Sequence, residues 1–437
     1  MVLRTLQFLR RRSVAFAAWF VALCVAHAVG ACGQCLKLQS EWHERLVHEL
    51  VHVGAGTMPD SGADDHARVI LGPGTIARMA EALGDATPLR AARLQRRMGG
   101  LAEDPVVGLQ VSYALQHVSM ERLEGRPMLR MLFAIEGNVL VQRTLSDETG
   151  DVYGTLQVLA PLALNSDRGS VQLTLSMAEG ELTDFAVRLD LVDRAESEFA
   201  EGMLREELLS QLAQLTAAQP IWALEPLAVG RLAVRFTATR LTPLLSGQAL
   251  EIGLVSNLRP GGHAWVDAGA EPAVSEEVTW LIHPGLPEAA VRYAAANGVI
   301  ERSFHAETPS LHQEVTVDYL TMSEGGFEYS ITRWCFSHAP CSASSESGSG
   351  QLAQTRGGVL VTATGSGQSA SIEGRAFVDS MQQVMEQVLQ TPVMRLAGER
   401  PLALRLHVLA TSATGIRYLL EEDAGTAGPT EPVSLPE

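Results

Sequence analysis

The chain has 437 residues, 46% of them hydrophobic, and a formal net charge of −17. That length suits two domains plus processing segments, and the apolar content excludes a mostly disordered chain. The acidic balance argues against nucleic acid as a partner, because neutralising phosphates requires a basic face.

Residues 1–31 read as a targeting segment. Arg4 and Arg10-Arg11-Arg12 form a positive n-region, and Ser13–Val29 an apolar h-region. Ala26-His27-Ala28 fits ordinary signal cleavage, whereas Val29-Gly30-Ala31-Cys32 resembles a bacterial lipobox whose cysteine is acylated. The lipobox is the favoured reading, with an uncleaved anchor as a third outcome. Export follows in each case and makes disulfides permissible. Cys335 and Cys341 flank the short stretch Phe336–Pro340 and are expected to pair. Cys35 is then an odd thiol near the membrane, or, after cleavage at Ala28, half of a Cys32-Gly33-Gln34-Cys35 pair.

Residues 32–65 read as an N-terminal tether with a short helix over Leu38–Val53. Within it, His48-Glu49-Leu50-Val51-His52 matches HExxH, where two imidazoles one helical turn apart share Zn²⁺ and the Glu serves as general base. Its position speaks against that chemistry. No upstream sheet exists to build a substrate cleft, and Ala55 and Met58 stand where the extended motif needs Gly and His. An exported zinc hydrolase using His48, Glu49 and His52 is therefore the alternative, and the main reading expects no metal and no cofactor.

Ala67–Leu71 reads as a strand, followed by Gly72-Pro73-Gly74 and a helix through Met79. The same order returns at Val278–Ile282, His283-Pro284-Gly285 and an Ala-rich helix reaching Val299. Arg90, Arg93, Arg96 and Arg97 follow Pro88 at helical spacing, as one solvated helix face would, with contact to an anionic lipid headgroup as the alternative. Gly108–Val192 is a run of strands. Val171, Leu173 and Leu175 alternate with polar residues, and so do Phe185, Val187 and Leu189, which gives antiparallel strands with one apolar face.

Phe199, Met203, Leu208 and Leu212 mark an amphipathic helix. Strands resume around Leu232–Phe236 and Leu250–Leu254, and residues 259–276 form a linker. Strands follow at Glu314–Leu320, Phe327–Trp334 and Gly358–Ala363, interrupted by a Ser/Gly-rich loop at Ser342–Gly350. Phe377, Met381, Val384 and Val388 share one face of a second long helix. Strands at Leu402–Val408 and Gly415–Leu420 precede a disordered tail over residues 424–437. Phe199 and Met203 recur as Phe377 and Met381 at a constant offset of 178.

This pattern predicts an α+β fold of two tandem similar units, residues 66–258 and 277–423. Each is a highly twisted antiparallel sheet or barrel wrapped on a long helix, and a central sheet joins them. If the helix does not fill the groove, an acyl chain can lie there, gaining about 0.8 kcal/mol per buried CH₂ without any catalytic group. The candidate lipid-facing residues are Phe199, Met203, Leu208 and Leu212 in the first unit and Phe377, Met381, Val384 and Val388 in the second.

The repeated order of strand, helix, meander, long helix and strands resembles the bactericidal/permeability-increasing and lipopolysaccharide-binding proteins of the tubular lipid-binding superfamily. Thr279–Leu286 through Tyr293–Ile300 looks like the start of that family's second barrel, and Phe377–Leu389 resembles its closing helix. The resemblance implies two elongated barrels with apolar pockets for lipid tails and no enzymatic activity. Two features depart from it. No cysteine lies between Cys35 and Cys335, so the family's N-terminal-barrel disulfide has no counterpart, and the acidic chain lacks the basic tip of endotoxin-binding members. The expectation is a bacterial envelope protein attached to the membrane by lipid on Cys32, binding phospholipid or another acyl-chain ligand. A structural envelope lipoprotein without ligand is the third reading.

Overall fold

The computed structural model describes residues 33–47, 49, 65–86, 92–97, 106–123, 126–142, 147–167, 169–175, 180–190, 194–216, 220–260, 274–305, 312–336, 341–355, 358–364 and 371–423. The described residues open with helix α1 over residues 33–47, followed by β1 (Ala67–Leu71) and α2 (Pro73–Ala86). Six strands come next: β2 (Ala92–Arg97), β3 (Val106–Leu123), β4 (Arg126–Gln142), β5 (Asp147–Asp167), β6 (Ser170–Leu175) and β7 (Glu181–Leu189). Helix α3 (Arg194–Thr216) leads into β8 (Pro220–Leu224), β9 (Leu227–Val229), β10 (Leu232–Val234), β11 (Phe236–Leu244) and β12 (Ala249–Ser256). Then follow β13 (Val278–Ile282), α4 (Leu286–Ala296), β14 (Ser303–His305), β15 (His312–Ser323), β16 (Gly326–Cys335), β17 (Ser342–Thr355) and β18 (Gly358–Thr364). Helix α5 (Ile372–Val388) precedes β19 (Met394–Leu396), β20 (Pro401–Leu402), β21 (Leu404–Ser412) and β22 (Gly415–Glu422). The fold is α+β and mostly strand, with curled, half-barrel sheets.

A six-stranded sheet in the order β11-β12-β1-β13-β22-β21 takes three strands from before residue 260 and three from after residue 274. At its centre β1 and β13 pair antiparallel, Val69 opposite Trp280. The two openings brace each other. Gly72 and Gly74 donate their N–H groups to Glu277 O and Glu276 O at 2.6 and 2.8 Å, and His283 N–H donates to His66 O at 2.9 Å. A Cβ on Gly72 would overlap the backbone of Ser275 and Glu276, so this approach requires glycine. Glu277 also accepts from the Thr75 hydroxyl and pairs with Arg78, fixing the first turn of α2. Trp280 is fully buried and meets the Phe236 ring edge-on at 5.7 Å.

The largest sheet runs β2-β3-β4-β5-β6-β8-β19-β20, with β7 also paired to β5. Its membership crosses the 259–276 segment, because β19 pairs with β8. Three glycines on the inner face let it curl. A Cβ on Gly137, Gly150 or Gly154 would overlap the backbone of the neighbouring strand. The buried apolar residues of all these sheets and of α2–α5 form one continuous cluster.

The fold departs from the sequence expectations in two strands. Ser342–Gly350 is the first part of strand β17, paired along its length to β16 and joined by β18 from Ser349 onward, and not a loop. Phe327 lies opposite Gly350 and Tyr329 opposite Gly348. A Cβ at either glycine would overlap the ring, so the small residues that look like loop composition make room for two buried aromatic side chains. Arg93, Arg96 and Arg97 belong to strand β2, not to a helix. Their backbone pairs with Val106–Gln110 of β3, and this ladder overrides the local helical spacing; Arg90 lies outside the described residues.

Candidate functional site

The long strands β3, β4, β5 and β7 present an inner face of aliphatic and aromatic side chains. Met131, Phe133, Ile135 and Val139 of β4 are buried, alternating with the more exposed Leu132, Ala134 and Glu136. Phe133 sits opposite Leu156 and Met131 opposite Val158 on β5, while Val111 on β3 faces Gly137. Leu156 in turn faces Phe185 on β7. These strands run to 18, 17 and 21 residues in β3, β4 and β5. At roughly 3.3 Å per residue β5 spans about 70 Å. Helix α3, with 23 residues, spans about 35 Å and packs along β7. The apolar inner positions of β5 run from Val152 to Leu164, about 40 Å, a little longer than the helix.

The buried stripe of α3 is Ala200, Met203, Leu204 and Leu208. Met203 and Leu208 of the expected set lie on it. Phe199 is off the stripe, with 40% of its surface exposed. Leu212 is on the helix, but its side chain lies outside the described residues. On α5 all four expected residues, Phe377, Met381, Val384 and Val388, are buried, together with Met385. Polar contacts fix that helix in place. Ser371 caps its N-terminus by accepting from Gly374 N–H at 2.9 Å, Glu386 accepts from Val361 N–H at 3.0 Å, and Gln387 accepts from Gly230 N–H at 2.7 Å. The inner faces of β3–β5 were hard to single out from sequence because β4 is apolar on both faces in part, Leu132 and Ala134 standing between Met131 and Ile135. Their alternation is the signal that was available.

His283 serves as scaffold. Its Nδ1 accepts from Gly285 N–H at 3.0 Å, bracing the turn into α4.

The N-terminal segment docks, where a free tether was expected. Arg45 pairs with Asp318, donates to Thr332 Oγ1 at 3.1 Å and lies 5.4 Å over the Trp334 ring. Trp42 meets the Phe336 ring edge-on at 5.6 Å. Glu49 is 1% exposed, pairs with Arg302 and accepts from Val317 N–H at 3.0 Å. Both its oxygens are therefore held by β15 and the residue beside β14, and the HExxH glutamate is engaged as a structural ion-pair partner where a general base would have to face a metal-bound water. His48 and His52 lie outside the described residues. Among the described residues no group of three His, Cys, Asp or Glu is placed to hold a metal ion.

The disulfide pairing differs from the expected one. Cys341 is bonded to Cys35, 306 residues away in sequence, with a Cα–Cα distance of 5.1 Å, and Cys335 takes no part in a disulfide. Docking of α1 against β16 brings Cys35 to Cys341, a juxtaposition that sequence proximity cannot reveal. Cys32, the candidate lipidation residue, lies outside the described residues. Among the described residues no helix is long and apolar enough to cross a membrane, which leaves open any crossing by strands.

No protein-family model matches the chain, and no curated protein matches it. The solved structures similar to the chain include two that each overlap most of it. The crystal structure of lipopolysaccharide binding protein aligns over 83% of this chain and 100% of its own, at 12% identity and a TM-score of 0.38. That of P47 of Clostridium botulinum E1 aligns over 82% and 99%, at 8% identity and a TM-score of 0.35.

Proposed function

We propose that this protein binds lipid without catalysing a reaction, holding acyl chains against the inner faces of its curled sheets. The supporting observation is the continuous apolar face on β3, β4, β5 and β7, which on β5 runs from Val152 to Leu164, about 40 Å, and so outreaches α3. Such a face closes either by filling itself with side chains or by taking up an elongated apolar ligand. A sixteen-carbon chain gains on the order of 12 kcal/mol there before ordering costs, enough for a carrier without specific polar contacts. In this reading residues 66–258 and 277–423 are two similar units sharing the central sheet, and residues 259–276 link them. The protein belongs to the bacterial envelope and is attached through an acylated Cys32. One acyl chain binds membranes only marginally, so stable attachment relies on several chains at that cysteine.

The test is to purify the protein natively, denature it, and analyse released lipid and zinc by mass spectrometry. Co-purifying phospholipid at near-stoichiometric amounts supports the proposal. Stoichiometric zinc that disappears in a His48→Ala variant would overturn it in favour of a hydrolase. Neither ligand, together with no uptake of added acyl probes, would identify a filled structural core. Intact mass of the N-terminus reads the fate of Cys32.

A further inference from the structure

Helix α1 is fixed along a sheet face whose composition suits water. In the sheet β14-β15-β16-β17-β18, alternation puts Val317, Leu320, Ile331 and Val361 on the inner face, where they are buried and α5 packs. The outer face carries Thr316, Ser330 and Thr332, with Ser345, Ser347 and Ser349 beside them on β17. Trp334 joins them beneath Arg45. A face this rich in hydroxyl groups can stand against solvent by itself. Yet α1 is held to it near both ends. Cys35 is bonded to Cys341, Arg45 pairs with Asp318 and donates to Thr332 Oγ1, and Glu49, just past the helix, pairs with Arg302. From Cys35 to Val47 the helix is a strut of about 18 Å.

Large apolar side chains stand exposed on the same outer side. Leu36 and Val47, 68% and 45% exposed, share the edge of α1 turned away from Cys35, Arg45 and Glu49, with Ser40 and His43 between them at helical spacing. Tyr319 is in register with Ser330, and Leu360 with Ala353, which places both on the outer face of the sheet, 43% and 49% exposed. The sequence just before α1 indicates what covers them. The apolar stretch Ser13–Val29 and the candidate acylation residue Cys32 lead directly into Cys35. Three residues reach at most about 11 Å, so a membrane that holds Cys32 lies beside the Cys35–Cys341 bond.

We propose that the protein rests on the bilayer surface through this outer face, with Leu36, Val47, Tyr319 and Leu360 at headgroup depth. The inference rests on the attachment at Cys32 proposed above and adds the orientation of the attached body. A flexible tether would let that body turn freely. Here the disulfide and the two ion pairs remove the freedom, because the anchored residue lies within one helical turn of a helix fixed to the sheet. With a net charge of −17 the body is not drawn to an anionic surface, so the contact depends on the anchor and on these apolar side chains. Tyr319 suits the position, since a phenol places an apolar ring and a polar tip at the lipid–water boundary.

The experiment uses the full chain, made in a lipidating bacterial host and reconstituted on vesicles of phosphatidylethanolamine and phosphatidylglycerol. A benzophenone-bearing residue replaces Tyr319, Leu360, Ile372 or Tyr153, one at a time, and lipid adducts per bound protein are counted by mass spectrometry after irradiation. Tyr319 and Leu360 are far from Cys32 in sequence, so closeness along the chain cannot produce their signal. Ile372 opens α5 on the inner side of the same sheet and Tyr153 lies on β5; both are exposed, at 76% and 50%, and serve as references. Adducts at Tyr319 and Leu360 should exceed those at Ile372 and Tyr153 by about fivefold or more. A Cys35→Ser, Arg45→Ala double variant keeps Cys32 and should stay bound to vesicles while that excess falls below about twofold. A bound parent with equal adducts at all four positions would overturn the orientation and leave the attachment standing. A full excess in the double variant would overturn the part assigned to α1. A parent that does not bind vesicles would overturn the attachment and this inference with it.

Discussion

Several single residues show polar groups joining elements that are far apart in the chain. Tyr418 on β22 is fully buried, and its hydroxyl donates to Leu389 O at 3.1 Å, satisfying a carbonyl at the C-terminal end of α5. Burial pushes its phenol far above the ordinary value of 10, because the anion would have to leave water. The neutral form is therefore favoured by folding. The unfolded phenol ionises around pH 10 while the folded one does not, so the contribution of Tyr418 to stability is present in full below about pH 10 and is lost as pH rises above it. Tyr418→Phe should cost about 1 kcal/mol at pH 7 from the missing hydrogen bond, and should flatten the fall in urea midpoint between pH 10 and 11.5. The fall should not vanish. Tyr329, raised first by burial and then by the Glu346 charge, titrates with the same sign. An unchanged alkaline slope in the variant would count against the assignment.

Among the elements, β17 shows how composition can mislead. Ser342–Gly350 carries the residues of a loop, yet Gly350 and Gly348 sit opposite Phe327 and Tyr329 and admit their rings. Phe327 is fully buried and cannot swing aside, so Gly350→Val should cost about 1–3 kcal/mol, measured by equilibrium unfolding. Gly202 on α3 is the contrast. A Cβ there meets nothing within 4 Å, so Gly202→Ala should raise stability by about 0.5–1 kcal/mol. If Gly350→Val is neutral, the ring-over-glycine account of β17 fails. The same strand marks the limit of what the sequence discloses. Both strand–Pro-Gly–helix openings, the alternating strands β6 and β7 and the buried face of α5 are periodic, and periodicity survives in one dimension. Phe199 was misplaced on α3 because its stripe is built on Ala200 and Leu204, one position over, where a small residue gives no cue. The Cys35–Cys341 bond and the Glu49–Arg302 pair join residues hundreds of positions apart, and neither spacing nor motif encodes such a contact. In the second case the motif pointed elsewhere, toward zinc.

For the whole molecule, the open question of chemistry is what occupies the long apolar interior, and packing offers a way to decide it. A filled protein interior is close-packed, so adding bulk to it strains neighbours, whereas an interior that holds exchangeable chains loses ligand in place of stability. Leu156 on β5 is fully buried on the inner face, opposite Phe133 and Phe185, and Leu156→Trp tests the difference. In the lipid-binding reading the variant should keep its unfolding midpoint within about 0.5 kcal/mol while bound lipid, quantified by mass spectrometry, falls severalfold. The delipidated parent should bind saturated fatty-acyl probes more tightly with length, by up to about fourfold per methylene, since each buried CH₂ contributes about 0.8 kcal/mol. That gain should stop once the chain outgrows the covered part of the sheet. Equal affinities for eight- and sixteen-carbon probes, together with a Leu156→Trp variant destabilised by about 1–3 kcal/mol, would mean that side chains fill the interior and that the curled sheets are structural.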